Sequence, residues 1–329
     1  MSSASPTAAA ETPLTVDVAI VAYRHWELTN SCLEHLRRQT IAHQVLLCDN
    51  GCDEGTADRV RAAYPEVTVL RMPRNMPYPV AHNAVVGAGH GEIVVMMNND
   101  VDARSDFLER LTAAFVSRPR LGSVAPLLLR PGERQVDSVG LVADRTLSAF
   151  PRYKNCPPEE ARIDGDAGLV LTGPEGAAAA FRRVAWEQIG GMDEALAGSM
   201  DDFDLFVRLR VAGWETASAL DAVAVHIGSA TYGHRSVEQR RKAGFGRAYM
   251  LRRYGVLRSL AAPQTLATEA LVVAADAVLS RDLAALTGRW AGWRAAAGSP
   301  SRAWPPPEAI DRRVGFLRSM RLRRGTYIR

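Results

Sequence analysis

Residues 16–23 read VDVAIVAY, a short, mainly apolar run that is rich in β-branched side chains and ends in a tyrosine. Such a run is typical of a strand buried inside a parallel sheet. Three more strands of this kind are predicted downstream: Gln44–Cys48, Val67–Arg71 and Glu92–Met97. Apolar residues at helical spacing predict the intervening helices: Thr29–Gln39, Thr56–Tyr64 and Val80–Gly89. Strands alternating with helices indicate an α/β fold whose open parallel sheet is covered on both faces.

Polar residues collect where these strands end, at Tyr23, at Asp49 and in MMNNDVD, residues 96–102. Ligands of an open α/β sheet bind at the carboxyl ends of its strands. Hard divalent cations prefer carboxylate and carbonyl oxygens, so residues 96–102 are a candidate metal site. An ordinary turn explains the same Asn and Asp residues equally well.

A second polar cluster lies in GGMDEALAGSMDDFDLFVRLRVAGW, residues 190–214. Asp201, Asp202 and Asp204 lead into a segment with helical apolar spacing, where carboxylates cap the free backbone N–H groups. Three carboxylates within four residues repel one another, and such crowding is typical of sites that need a cation or a proton acceptor. His226 follows the strand-like run Ala222–Val225, and a structural polar role is its default interpretation.

Charge is unevenly distributed along the chain. Apolar residues make up 47% of the composition, which excludes wholesale disorder. Residues 234–329 carry a net +13 against −9 for residues 1–233, and this basic segment predicts contact with an anionic partner. Nucleic acid is not expected, because no recognised binding module accompanies the charge. The segment can lie on a membrane surface as a peripheral contact, or it can form a helical lid that packs on the main domain and exposes its basic face.

Three units are predicted along the chain: a disordered N-terminal tail at residues 1–14, a main domain at 15–234 and a helical, basic extension at 235–329. No signal peptide and no spanning segment is recognised. The four cysteines form no CxxC pair, which fits a reducing compartment. We therefore expect a cytoplasmic location, with peripheral contact at the inner face of the cell membrane.

The motifs over residues 17–232 resemble, in order, those of family 2 inverting glycosyltransferases, in particular the rhamnosyltransferase-like branch. The matching segments are VDVAIVAYRHW (16–26), CDNGCDEGT (48–56), RNMPYPVAHN (74–83), NND (98–100), EGAAAAFRR (175–183) and residues 190–214. The last motif is the longest and most specific. The resemblance implies a glycosyltransferase A-type fold, a Rossmann-like mixed sheet flanked by helices, with a C-terminal helical extension.

The resemblance also implies site residues. Asp202 corresponds to the catalytic base, and Asp100 and His226 correspond to ligands of Mg²⁺ or Mn²⁺. Asp201 and Trp214 lie on the acceptor side. Seven residues correspond to donor-binding positions: Tyr23, Asp49, Asn75, Asn83, Asn98, Asn99 and Gly176.

The implied reaction transfers a sugar from a nucleotide-diphosphate donor, TDP-rhamnose or a UDP-sugar, to an acceptor hydroxyl. The implied acceptors are a sugar, a lipid-linked glycan or a small-molecule glycoside, in cell-wall, polysaccharide or secondary-metabolite synthesis. Four features depart from the family pattern, the first being Cys52 and Glu54 in place of Ser and Asp in the motif at residues 48–56. Asn98 replaces the first Asp of a D-x-D motif, Pro77 and Pro79 stiffen the donor loop, and Glu175 is unusual beside Gly176.

Two other enzyme classes are excluded. A nicotinamide dehydrogenase needs G-x-G-x-x-G after its first strand, whereas AYRHWELTN, residues 22–30, contains no glycine. A nucleotidyltransferase needs a Gly-rich, basic phosphate loop near the N-terminus, which is missing. A non-catalytic scaffold or nucleotide-sugar-binding protein on the same fold remains the alternative.

Overall fold

A mixed β-sheet flanked by helices forms the centre of the molecule. The computed structural model describes residues 13–52, 54–165, 168–196, 198–228, 236–325 and 327. Across these residues the strands are β1 (Val16–Ala22), β2 (Gln44–Asp49), β3 (Thr68–Arg71), β4 (Ile93–Asn98), β5 (Val101–Ala103), β6 (Leu121–Leu129), β7 (Val136–Ser138), β8 (Leu141–Ala143), β9 (Ala149–Pro151), β10 (Ala178–Arg182) and β11 (Glu215–His226).

The helices lie between the strands in the first part of the chain and follow one another at its end. They are α1 (Trp26–Arg37), α2 (Thr56–Ala63), α3 (Tyr78–Gly87), α4 (Phe107–Val116), α5 (Pro158–Asp164), α6 (Arg183–Ile189), α7 (Asp201–Val211), α8 (Val237–Arg253), α9 (Ala262–Ser280), α10 (Ala284–Ala295) and α11 (Phe316–Arg323).

The first half of the sheet confirms the predicted parallel strands. Its order is β3-β2-β1-β4, and all three pairings are parallel. The inner strands β1 and β4 are mainly apolar and almost wholly buried, as a sheet covered on both faces requires, and the buried Asp17 of β1 pairs with Arg183 at 2.7 Å. Their carboxyl ends therefore meet at one edge, where Tyr23 and Asn98 lie.

The second half of the sheet is mixed, so the parallel pattern of the first four strands does not continue there. Strand β10 pairs antiparallel with both β4 and β6, and β11 pairs parallel with β6 and antiparallel with β5. An apolar run such as Ala178–Phe181 specifies a buried strand but not its direction. Direction depends on the route of the chain, which here passes through a separate β8–β9 hairpin before it enters the sheet. The mixed sheet implied by the resemblance is the one observed.

Helix starts differ from the predicted ones for tertiary reasons. Helix α1 begins at Trp26, three residues early, because the Glu54 carboxylate accepts the backbone N–H groups of His25 and Trp26. Helix α3 begins at Tyr78, and Pro79 occupies its first turn, where a missing N–H costs nothing.

The C-terminal helices pack against the main body. Phe203 and Val207 of α7 share a buried cluster with Tyr249 and Met250 of α8. Within the described ranges, no helix is both long and apolar enough to cross a bilayer. The predicted domain boundary at residues 234 and 235, and most of the predicted tail (residues 1–12), lie outside the described residues.

Candidate functional site

A cleft of about 600 Å³ opens at the carboxyl ends of β1 and β4. Its walls come from both halves of the sheet, from α3 and α7, and from α8 of the C-terminal segment. Nine of the predicted site residues line it: Tyr23, Asn75, Asn98, Asn99, Asp100, Gly176, Asp201, Asp202 and His226. Residues separated by more than a hundred positions in the sequence thus face one cavity.

Asp100 and His226 face each other on one side of the cleft. Asp100 follows β4, His226 ends β11, and the His226 Nε2 atom lies 3.6 Å from the Asp100 Oδ1 atom. The backbone carbonyl of Asp100 accepts the N–H of Ile227 at 3.0 Å, and its side chain accepts the N–H of Gly228 at 3.2 Å. These bonds hold the backbone that follows His226 against Asp100.

Asp137 sits behind His226 and was not predicted. Its Oδ2 atom lies 2.7 Å from the His226 Nδ1 atom, and its Oδ1 atom lies 3.3 Å from the Lys154 ammonium. Although burial opposes ionisation, the His226 hydrogen bond and the charge of Lys154 lower the pKa of Asp137 to about 2. Burial disfavours the charged form of His226, but the Asp137 hydrogen bond and the charge of Asp100 outweigh it and raise the His226 pKa.

The carboxylates at the start of α7 form the opposite side of the cleft. The Asp202 Oδ1 atom accepts the N–H of Phe203 at 2.7 Å, and its Oδ2 atom accepts the N–H of Gly176 at 3.0 Å. Burial raises the pKa of Asp202, and those backbone donors oppose the shift. Asp201 is buried, and no described group hydrogen-bonds its Oδ2 atom. Burial and the neighbouring charge of Asp202 raise the pKa of Asp201 to about 7.

Tyr78 bridges the two sides. Its hydroxyl lies 3.1 Å from the Asn98 Oδ1 atom and 3.1 Å from the Gly176 carbonyl oxygen. Burial and the charges of Asp201, Asp202 and Asp100 raise the pKa of Tyr78 well above its ordinary value. The phenol therefore stays protonated and donates hydrogen bonds. The tyrosine lies within the motif at residues 74–83, but its role depends on contacts that the motif does not show.

Three predicted site residues do not line the cleft. The Asp49 carboxylate is buried and accepts the N–H groups of Cys52 at 2.8 Å and Ala57 at 3.1 Å. The Asn83 amide bonds both backbone groups of Met192. The Trp214 indole donates to Gln188 at 2.8 Å, outside the cavity. The Asp49 bonds hold the loop after β2, and the Asn83 bonds hold the turn after α6.

The donor-loop region is tied together by amides. Asn50 donates to the side chain of Asn75 and exchanges two hydrogen bonds with the backbone of Met76. Asn99 donates to the Thr29 hydroxyl at 2.8 Å and to the Arg24 carbonyl. These bonds fix the loop that carries Pro77 without using a β-strand.

Glu175 and two residues of α8 complete the cavity. Burial and the charge of Asp137 raise the pKa of Glu175 to about 7, and its Oε2 atom has no hydrogen-bond partner among the described residues. Gln239 and Lys242 reach the cleft from α8. Helical periodicity does not distinguish an inward residue of a basic helix from an exposed one, so the sequence did not predict these two.

The donor set on the Asp100 side suits a hard or borderline cation. Among the described residues no three His, Cys, Asp or Glu side chains converge as a closed cage. Two candidate ligands face each other, Asp100 and His226, and the bond between His226 Nδ1 and Asp137 directs the Nε2 atom toward Asp100. An ion with few protein ligands suits an open site that shares its coordination sphere with substrate phosphates.

The chain is similar to known glycosyltransferase sequences over much of its length. The model of the family "Glycosyltransferase like family 2" matches residues 13–246. The N-acetylglucosaminyl-diphospho-decaprenol L-rhamnosyltransferase of Mycobacterium tuberculosis (strain ATCC 25618 / H37Rv) is 29% identical in an alignment 211 residues long that covers 55% of this chain and 66% of that protein. The chain thus spans slightly less than two thirds of that relative's length.

Solved structures support the fold. A complex of GalNAc-T7 with UDP, GalNAc and Mn²⁺ aligns at a TM-score of 0.58 and 15% identity, over 74% of this chain and 48% of that one. The mannosyltransferase PcManGT from Pyrobaculum calidifontis, in complex with GDP-Man and Mn²⁺, aligns at a TM-score of 0.52 and 20% identity over 87% of both chains. The fold is glycosyltransferase A-like. Because the family model covers well over half of its residues, the chain belongs to the family 2 glycosyltransferases.

Proposed function

We propose that this protein is a metal-dependent, inverting glycosyltransferase that moves a sugar from a nucleotide-diphosphate donor to an acceptor hydroxyl. The observation that supports this most directly is the placement of Asp202 in the same cleft as the facing pair Asp100 and His226. Such a transfer needs charge neutralisation at the leaving group and a proton acceptor at the nucleophile.

Asp100 and His226 are the proposed ligands of Mg²⁺ or Mn²⁺. The chemistry such an ion supplies when bound is neutralisation of the charge that develops on the departing diphosphate. Asp137 orients His226 and keeps its Nδ1 atom protonated, which leaves the Nε2 lone pair for ligation. Asn98, held by Tyr78, replaces a second acidic ligand with a neutral one.

Asp202 is the proposed base. It takes the proton from the acceptor hydroxyl while that hydroxyl attacks the anomeric carbon from the face opposite the diphosphate, so the configuration inverts. Two backbone N–H groups position the carboxylate. Buried Asp201 beside it and Trp214 at the outer surface remain proposals for the acceptor side.

Residues that bind the nucleotide-sugar donor are assigned by their position in the cleft. Tyr23, Asn75, Asn99 and Gly176 are proposed to contact the nucleotide sugar. Asp49 and Asn83 are proposed to act indirectly, by holding the loop and the turn that they hydrogen-bond.

The donor sugar and acceptor follow from similarity alone. The mycobacterial relative is named as an L-rhamnosyltransferase that acts on a diphospho-decaprenol glycan. We accordingly propose TDP-rhamnose, with UDP-sugars as the alternative donor, and a lipid-linked glycan as the acceptor. A non-catalytic nucleotide-sugar-binding protein is the competing function, and donor turnover separates the two.

The deciding experiment measures the rate at which the protein releases nucleotide diphosphate from each of a panel of nucleotide sugars in the presence of Mn²⁺. In Asp202→Asn we expect turnover to fall by roughly 10²–10⁴ while donor binding persists. Asp58→Asn, an exposed carboxylate on α2, is the matched control and should turn over normally. Donor binding without any turnover in the parent protein would favour the scaffold function, and equal turnover in both variants would remove Asp202 as the base.

A further inference from the structure

Helix α9 exposes a stripe of apolar side chains along one face. It is a 19-residue helix, and in its second half, from Glu269 onward, no residue is fully buried. All nine of its exposed residues are apolar, and the largest are Leu266, Leu271, Val278 and Leu279. They recur at three- and four-residue intervals, so they form one continuous face of the helix.

The charged residues of α9 point the other way. Glu269 pairs with Arg247 of α8 at 2.7 Å and with Arg289 of α10 at 2.8 Å. Asp276 pairs with Arg240 of α8 at 2.8 Å. These ion pairs hold α9 against its neighbours, and they leave the outward face without any charge.

Positive charge marks both ends of the stripe. Arg258 lies before the helix and Arg281 lies directly after it, and both are exposed. The next helix, α10, exposes Trp290, whose ring packs under the guanidinium of Arg294. An apolar face on α9, arginines at its two ends and an exposed tryptophan on the next helix are side chains that suit a membrane interface.

We propose that the apolar face of α9 docks the protein on an anionic lipid surface. Apolar side chains of the stripe enter the interface, and the arginines at its ends contact lipid headgroups. A second copy of the chain fits this surface less well. Two stripes placed against each other in an antiparallel pairing would bring Arg258 of one chain to Arg281 of the other, and like charges repel.

The stripe adjoins the catalytic cleft. A groove of about 530 Å³ between α8 and α9 is walled by Ala275 and Leu279 of the stripe, and it shares Gly198, Gln239 and Lys242 with the cleft. A protein docked through α9 therefore places this groove beside the lipid surface. The docking itself stands apart from the proposed reaction, and only the consequence that an acceptor approaches from the lipid side rests on that function.

The test is co-sedimentation of the full chain with phosphatidylcholine vesicles, with and without phosphatidylglycerol, and with no nucleotide sugar present. We expect binding to the anionic vesicles. In Leu271→Glu/Val278→Glu the partition coefficient should fall roughly tenfold or more.

The matched control is Ile163→Glu/Leu317→Glu. These side chains are 79% and 74% exposed on α5 and α11, against 50% and 76% for Leu271 and Val278, and the change in net charge is the same. Equal loss in both double variants would overturn the proposal, since charge alone would then explain it. Lack of vesicle binding by the parent, or a dimer that the α9 variant dissociates in sedimentation velocity, would also overturn it.

Donor turnover in detergent-free buffer separates this proposal from the catalytic one. Leu271 and Val278 line neither the cleft nor the groove, so Leu271→Glu/Val278→Glu should release nucleotide diphosphate at the parent rate. A chain that binds vesicles but never turns over donor would leave the docking intact and refute only the proposed function.

Discussion

At the residue scale, the cleft concentrates carboxyl groups that burial makes hard to ionise. Asp201, Asp202 and Glu175 all have raised pKa values, and burial is the first cause in each case. Such a cluster costs stability and is typical of sites where chemistry requires it. The same property raises the pKa of the proposed base, Asp202, above its ordinary value.

The pH dependence of turnover should follow this pair of acids. Asp202 can accept a proton only when ionised, and its pKa is raised, while that of neighbouring Asp201 rises to about 7. We therefore expect kcat to fall on acidification at a higher pH than an ordinary Asp carboxyl would give. The measurement is the pH profile of kcat at saturating donor and metal, and a fall that begins only at the pH of an ordinary Asp carboxyl would contradict the assignment.

Replacement of Asp201 should stabilise the fold in a pH-dependent way. Its folded-state pKa lies above the unfolded value, so the stability it contributes is full below the unfolded pKa and is lost as the pH rises through about 7. Asp201→Asn removes this loss. We expect a higher Tm for the variant at about pH 8.5 and a smaller gain at about pH 5. An equal gain at both values would show that burial of the charge is not the cause.

Asp137 should tune metal affinity without contacting the metal. Its hydrogen bond to the His226 Nδ1 atom fixes the ring, and loss of such a partner weakens metal binding by roughly 10–100-fold. We expect this loss in Asp137→Ala, measured as Mn²⁺ affinity of the chain without donor. Lys154→Met keeps the Asp137–His226 bond and is the control. Unchanged affinity in Asp137→Ala would remove the positioning role.

At the element scale, helices α8 and α10 approach each other closely because glycines line their contact. A Cβ atom at Gly288 would overlap the Arg241 carbonyl oxygen, and one at Gly292 would overlap that of Phe245. Gly244 of α8 is similarly close to the Ala285 carbonyl oxygen. The helix that contributes Gln239 and Lys242 to the cleft is therefore held in place through contacts only glycine permits.

The Gly288→Ala variant should lower Tm, since the added methyl must push one helix backbone away from the other, at a cost of about 1–3 kcal/mol. Gly87→Ala is the matched control: Gly87 ends α3, and a Cβ atom added there would meet no other atom within 4 Å. There alanine should be neutral or stabilising, by up to about 1 kcal/mol. Thermal unfolding of both variants decides, and an unchanged Tm in Gly288→Ala would contradict the tight contact.

At the scale of the whole molecule, the cleft joins parts of the chain that are distant in sequence. One wall belongs to the parallel half of the sheet, the other to α7 and the turn before β10, and α8 closes a third side. A ligand that fills the cleft contacts all three and should stabilise the entire fold, because it binds the folded state alone.

A thermal-shift screen of nucleotide sugars with Mn²⁺ uses this coupling to identify the donor. At a ligand concentration of about 100 Kd the stabilisation is about 2.7 kcal/mol, enough to raise Tm by several degrees. We expect the largest shift with TDP-rhamnose, and a dependence on the metal that Asp100→Asn weakens. A larger Tm shift with a UDP-sugar would make that sugar the proposed donor in place of TDP-rhamnose. The absence of a shift with any nucleotide sugar would argue against donor binding.

The parallel half of the sheet and nine residues that line the cleft could be predicted from the sequence and its resemblance to a known family. The run VDVAIVA and the apolar centres of β2 and β4 are recognisable in the sequence, because a strand buried on both faces is mostly apolar. The motifs at residues 98–100 and 190–214 supplied Asp100, Asp201 and Asp202. Each of these features is formed by residues that are neighbours in the sequence, so it can be recognised without the structure.

Strand direction, the partners of each polar group and the orientation of α9 became visible only in the folded chain. The direction of β10 depends on the route of the chain, and the contact of Asp137 with His226 joins residues 89 positions apart. Asp49 and Asn83 occupy positions in the family motifs, yet their side chains form hydrogen bonds with backbone groups outside the cavity. Burial and pairing are properties of the packed chain, because each depends on which distant segments arrive at the same place.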